Sequence, residues 1–152
     1  MFLKFNNKRQ GSAFAFVLIA FMIVSIIGSS ILFIFNNNLL QAKRQQDSME
    51  AYYLAYSGAE MAYASLMTTE TSGTFKNKYK FKRITDNNET FTENNIAYGN
   101  GKISVIAQKA DEDNFENWVE ITSTAVLNKN NLTYTRTLYF DPDNPVDRIW
   151  IN

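Results

Sequence analysis

The sequence predicts an α+β protein, with one long N-terminal helix packed on a small antiparallel β-sheet head. Three observations predict it. From Ser12 through Phe35, 24 consecutive positions hold no Asp, Glu, Lys or Arg. From Met49 to Leu66 apolar residues recur at spacings of three and four. Beyond Thr68 apolar and polar residues alternate in an asparagine-rich background.

A membrane-spanning helix needs roughly 20 apolar residues, so the uncharged run belongs in a bilayer or an equally apolar interior. The apolar region of a cleaved secretory signal is only about 7 to 15 residues, and this run exceeds it. Lys4, Lys8 and Arg9 precede the run, and the next basic residues are Lys43 and Arg44. The positive-inside bias therefore keeps Met1 to Gln10 cytoplasmic and sends the remainder outward.

The helix is expected to continue past Phe35. Asn36 to Asn38 is a weak spot, but no proline occurs before Pro142. Isolated Gly28 and Gly58 cost a helix about 1 kcal/mol each. Met49, Tyr52, Tyr56, Ala59, Tyr63 and Leu66 make one apolar stripe, predicted to pack on the chain's own sheet rather than to form a ligand cage. Lys43, Arg44, Asp47, Glu50 and Glu60 are placed opposite. A helix over 12–67 would be on the order of 80 Å long.

In the head, Ile103, Val105 and Ala107 alternate with polar residues, as do Val119, Ile121, Ala125 and Leu127. Both runs read as one-sided strands. A third run spans Leu132 to Phe140, joined to the second by a hairpin at Asn128 to Asn131, where asparagine tolerates left-handed backbone. The tail with Pro142 and Pro145 is expected to be irregular. A head of 85 residues, 68–152, is near the lower limit for a self-sufficient core, so the amphipathic half-helix must supply its second layer.

The chain has 15 basic and 15 acidic residues, no cysteine and no histidine. That removes disulfides, thiolate chemistry and the commonest general base and metal ligand. No nucleophile elbow, phosphate-binding glycine loop or zinc spacing occurs, so no enzyme, cofactor or metal site is expected. In Phe75 to Arg83, an extended strand would put Lys76, Lys78, Lys80 and Lys82 on one face and Phe75, Tyr79 and Phe81 on the other. Lysines guard edge strands, which is the favoured reading. Contact with nucleic acid or another polyanion is the alternative, weakened because the aromatics would face away from the lysines. Asp111, Glu112, Asp113 and Glu116, and separately Asp141, Asp143 and Asp147, lack EF-hand spacing and read as solvated loops.

The stretch Lys8-Arg9-Gln10-Gly11 followed by Ser12-Ala13-Phe14-Ala15-Phe16 resembles the prepilin-peptidase site of type IV prepilins. The resemblance implies cleavage between Gly11 and Ser12 and methylation of Ser12. Ala51-Tyr52-Tyr53-Leu54-Ala55-Tyr56-Ser57-Gly58-Ala59-Glu60 is similar to the Ala-Tyr-Tyr-Leu-Ala-Glu-Ala-Gly segment of minor pilins of the PilX type. Together these cover about the first 67 residues. They imply a leader over 1–11, a transmembrane or filament-core helix over 12–35, its amphipathic continuation over 36–67 and a β-rich head over 68–152. Loss of the leader would leave 12 basic against 15 acidic residues, a formal charge of −3.

Two departures refine the expectation. Major pilins carry glutamate as the fifth mature residue, where this sequence has Phe16, and many carry proline where Phe33 stands. Both favour a minor pilin or pseudopilin, acting in filament initiation or at the tip. The implied partners are other pilins, the prepilin peptidase, the pilus assembly machinery and the inner membrane, with the chain reaching a cell-surface filament after assembly. The alternative function is a surface-binding module for adhesion or DNA capture on a single-pass anchor.

Overall fold

A computed structural model describes residues 8–111 and 115–151, with side chains from Ala13 onward. Helix α1, Lys8–Leu66, is 59 residues long. The chain divides into two compact units, 1–44 and 45–152. In the first, α1 passes through Asn36 to Asn38 unbroken, and each described side chain is exposed. Ser29 Oγ donates to the Ser25 carbonyl at 2.8 Å and Ser30 Oγ to the Ile26 carbonyl at 2.8 Å, so these hydroxyls are satisfied within the helix.

The second unit packs the C-terminal turns of α1 on a five-stranded antiparallel meander. Its strands are β1, Phe91–Tyr98; β2, Gly101–Lys109; β3, Val119–Leu127; β4, Thr133–Phe140; and β5, Arg148–Ile151, in the spatial order of the sequence. The alternation read in the sequence faces the helix as expected: Ile103, Val105 and Ala107 on β2, and Val119, Ile121, Ala125 and Leu127 on β3, are all buried. The β3–β4 hairpin turns where left-handed backbone was expected, with Asn131 at φ 53° and its N–H donating to the Leu127 carbonyl at 3.0 Å.

Three expectations for the head are corrected. Strand β1 was not foreseen, because a bulge between Glu93 and Ile96, with Asn95 at φ 57°, breaks its alternation. The tail is not wholly irregular: Pro142 and Pro145 lie in the turn, and Arg148–Ile151 then pairs with β4. The lysine-rich segment is no strand. The Asn77 N–H donates to the Glu70 carbonyl at 3.0 Å and the Lys78 N–H to the Phe75 carbonyl at 2.9 Å, with Asn77 at φ 66° folding the chain back. It then enters the short helix α2, Lys82–Asn87. Phe81 and Ile84 from this region are fully buried, each contributing about 1.5 to 3 kcal/mol.

The packing stripe of α1 is also rotated by about one residue from its expected position. Buried residues are Ala51, Leu54, Ala55, Ala59 and Leu66, whereas Met49 is 60% exposed and does not pack on the sheet. Asp47, expected on the opposite side, is buried. Small residues at the contact explain the rotation. A Cβ on Gly58 would lie 2.3 Å from Ser123 Oγ and 2.5 Å from Ile103 Cγ2, so only glycine permits this approach. The bulkier tyrosines of the stripe are displaced to its flank.

Gly58→Ala should therefore destabilise the second unit by about 1 to 3 kcal/mol, despite the better helix propensity of alanine. Chemical denaturation of the detergent-solubilised chain measures this. Adding Ser123→Ala, which removes the nearer of the two obstructing atoms, should recover part of the loss.

Candidate functional site

Two surfaces distinguish this chain: an exposed apolar helix, and a helix–sheet seam bordered by aromatic rings and charges. On the first, Phe16 is 77% and Phe33 68% exposed, within a segment long and apolar enough to cross a membrane. Gly11 and Ser12 fall in the first turns of α1, and their side chains lie outside the described residues.

At the seam, Tyr52, Tyr56 and Tyr63 are half-buried on the side of α1 nearest β4 and β5. Tyr52 meets Tyr134 edge-on at 5.4 Å, Tyr56 stacks on Trp150 at 4.5 Å, and Tyr63 meets Phe140 edge-on at 5.3 Å. The Tyr63 hydroxyl donates to the Pro145 carbonyl at 2.7 Å. Burial, followed by the neighbouring Glu60 carboxylate, raises the Tyr56 phenol above its ordinary pKa. These rings thus tie β4, β5 and the turn between them to the helix by faces, edges and one hydroxyl.

Charges fasten the other ends of the sheet. Lys129 Nζ lies 2.8 Å from Asp47 Oδ1 and 2.5 Å from Glu50 Oε2. Asn130 donates to Asp47 Oδ2 and Asn100 to Glu50 Oε1, each at 2.8 Å. The β1–β2 and β3–β4 turns are thereby pinned to one turn of α1. Arg148 holds Glu60 at 3.2 Å through both carboxylate oxygens. Asp47, Glu50 and Glu60, expected on the solvent side, all reach the head instead, while Lys43 and Arg44 remain exposed.

The helix covers the middle of the sheet and leaves Glu93, Ile96 and Tyr98 on the inner face of β1 exposed. Between α1 and β1 runs a groove of about 580 Å³, lined by Met61, Ala62, Leu66, Phe91, Ile96 and Val105, with Lys80 and Glu93 also on its wall. Its volume is within the range of about 300 to 1,000 Å³ usual for small-ligand sites.

The four lysines are not brought onto one face. Lys78 lies over the Phe75 ring at 5.3 Å and 3.9 Å from Asp86, Lys82 lies over Phe81 at 5.4 Å, Lys80 lines the groove, and Lys76 is exposed. Asp111 and Glu116 border a separate polar hollow, whereas Glu112 and Asp113 lie outside the described residues. In the tail, the Asp143 N–H donates to Asp141 Oδ1 at 2.8 Å, closing a local turn.

No family model, curated protein or solved structure matches this chain. The seam and the groove are therefore characterised by their own geometry. Sequence reasoning missed the Gly58 contact, although the small residues Ala51, Ala55, Gly58 and Ala59 at helical spacing carry its signal. Nothing in the sequence singles out Lys129 among the lysines.

Lys129→Met should lower the thermal midpoint, with a defined pH dependence. Hydrogen bonds to Asp47 and then Glu50 raise the Lys129 pKa above its ordinary 10.5, so its contribution is present below that value and lost as pH rises through the raised one. The Glu50 pKa is lowered below 4.5, chiefly by Lys129 and then Asn100, so its contribution is present above 4.5 and lost as pH falls through the lowered value. The difference in midpoint between wild type and variant should be largest between these limits and shrink at both extremes, as followed by circular dichroism.

Proposed function

We propose that the chain is a non-enzymatic subunit of a type IV pilus-like filament, a minor pilin or pseudopilin acting in filament initiation or at the tip. The observation that carries this reading is the passage of an exposed apolar helix, with no intervening linker, into a helix face bound to a sheet. An ordinary single-pass anchor has no need for that continuity. A subunit whose apolar segment exchanges lipid for neighbouring helices keeps the segment buried in both settings. The basic stretch ending at Gly11 supports peptidase processing, and Ser12 would then carry the methylated amine.

Phe16 supports placement at an end of the filament. In the family mechanism, the fifth-position glutamate pairs with the N-terminal amine of a neighbour. A charge at the centre of a membrane helix costs about 2.5 to 3.5 kcal/mol on insertion scales, which phenylalanine avoids while also forfeiting the pairing. Such a subunit suits a terminal position better than a repeated one. A second reading, a head that binds an external ligand, is favoured by the groove beside β1.

Protein recovered from native filaments should begin at Ser12, as read by N-terminal and intact-mass analysis. Recovery of Met1 from filament-incorporated chain would contradict the assignment. Immunogold labelling of the same filaments should mark their ends, and even labelling along the shaft would exclude the tip role.

A further inference from the structure

Two buried side-chain polar atoms among the described residues lack a hydrogen-bond partner, Ser123 Oγ and Arg136 Nε. They are neighbours, because Ser123 on β3 pairs directly with Arg136 on β4. Ser123 is fully buried and Arg136 is 8% exposed. A hydroxyl can donate or accept, but a guanidinium only donates, so the pair is short of an acceptor.

The charge at Arg136 is equally unanswered. Arg83 and Arg148, the other arginines of the second unit, pair with Glu70, Glu89 and Glu60. Arg136 has no ion pair among the described residues. The seam carboxylates are engaged elsewhere, Asp47 and Glu50 by Lys129 and Glu60 by Arg148. What surrounds the cation is aromatic: its Cζ lies over the Tyr52 ring at 5.1 Å and over the Trp150 ring at 5.4 Å. Ring faces attract a guanidinium but supply no oxygen acceptor for its N–H groups. Burying such a charge is costly unless an acceptor completes it.

We propose that Arg136 forms the base of an oxyanion site, walled by Tyr52 and Trp150, that takes a carboxylate or phosphate group. The planar donor fork of arginine matches two oxygens of such a group, and stacking against the rings leaves that match available. Water could accept one hydrogen bond there but would leave the charge unbalanced. The oxyanion could be free in solution or carried by a neighbouring protein, and both sources present the same chemistry to the fork. The site is separate from the groove beside β1 and does not depend on the filament reading.

The test uses the full chain in detergent with Trp118→Phe, leaving Trp150 as the fluorophore. Acetate and inorganic phosphate are titrated at ionic strength fixed with chloride. The expected result is a saturable change in Trp150 emission that is lost in Arg136→Gln and at least tenfold weaker in Arg136→Lys. The absence of saturation, or equal responses from wild type and Arg136→Gln, overturns the site. Should Arg136→Gln fail to fold, Arg136→Lys decides, and an unchanged affinity there overturns it. Where saturation is found, acetate is then added to native membranes. Amine-reactive cross-linking of these membranes reads the outcome, because the apolar helix keeps the chain in the membrane either way: loss of a cross-linked neighbour on adding acetate identifies a carboxylate of a neighbouring protein as the occupant, and an unchanged cross-linking pattern identifies a free anion.

Discussion

The approach of α1 to the sheet at Gly58 is the constraint on which the rest of the head depends. With no Cβ at that position, the helix backbone settles against Ser123 and Ile103. Ala51, Ala55 and Ala59 extend this thin contact along the same face. Close contact leaves no room for a side chain at Gly58 itself, and the aromatic bulk lies at the borders of the seam. Tyrosines occupy the β5 side, where they meet Tyr134, Trp150 and Phe140. Near the tight turns, Lys129 and its two carboxylates close the remaining gap.

The same geometry exposes one side of the sheet. A helix is about 10 Å across and strands are spaced about 4.8 Å apart, so one helix cannot cover five strands. On the β4–β5 side, the aromatic rings extend the cover. On the β1 side the cover reaches only Phe91, with Arg83 over its ring at 5.3 Å, and Ile96 and Tyr98 stay exposed on the inner face. This edge is guarded in other ways. The bulge at Asn95 interrupts its hydrogen-bonding rhythm, and Glu93 places a charge on the inward face, both of which discourage pairing with another strand. The groove therefore suits a small ligand or a side chain better than an added strand.

What the sequence revealed follows from periodicity. The long helix, β2, β3, β4 and the hairpin between β3 and β4 each carry an uninterrupted pattern or a turn residue, and each is found where the pattern predicts it. The bulge concealed β1 because a single inserted residue shifts the alternation. The lysines misled because alternation with aromatics resembles a strand, while left-handed Asn77 and the burial of Phe81 and Ile84 make a turn and a short helix instead. β5 was hidden by its prolines, which lie before it. Of the stripe, Tyr52, Tyr56, Ala59, Tyr63 and Leu66 do pack on the head and Met49 does not, but the centre of the contact belongs to alanines and Gly58, since at a close contact the smallest residues occupy the centre. Long-range partners such as Lys129 with Asp47 were illegible, since only the folded topology brings positions so distant in sequence together.

The apolar segment places a further demand on the head. Its described side chains from Ala13 to Phe35 include no charge, and Ser29 and Ser30 spend their hydroxyl protons on their own helix. Such a surface is nearly indifferent to whether lipid or another apolar helix surrounds it, and association there rests on packing rather than on directed bonds. Packing between apolar helices selects partners weakly, because many shapes are nearly equivalent. Directional groups, by contrast, are concentrated in the head: Lys80 and Glu93 along the groove, without an ion pair among the described residues, and Arg136 beside its rings. On the proposed reading of a filament subunit, the helix would supply the tendency to associate and the head the choice of neighbour. Both roles would then lie on one continuous element, since α1 runs through the apolar segment and into the helix–sheet seam.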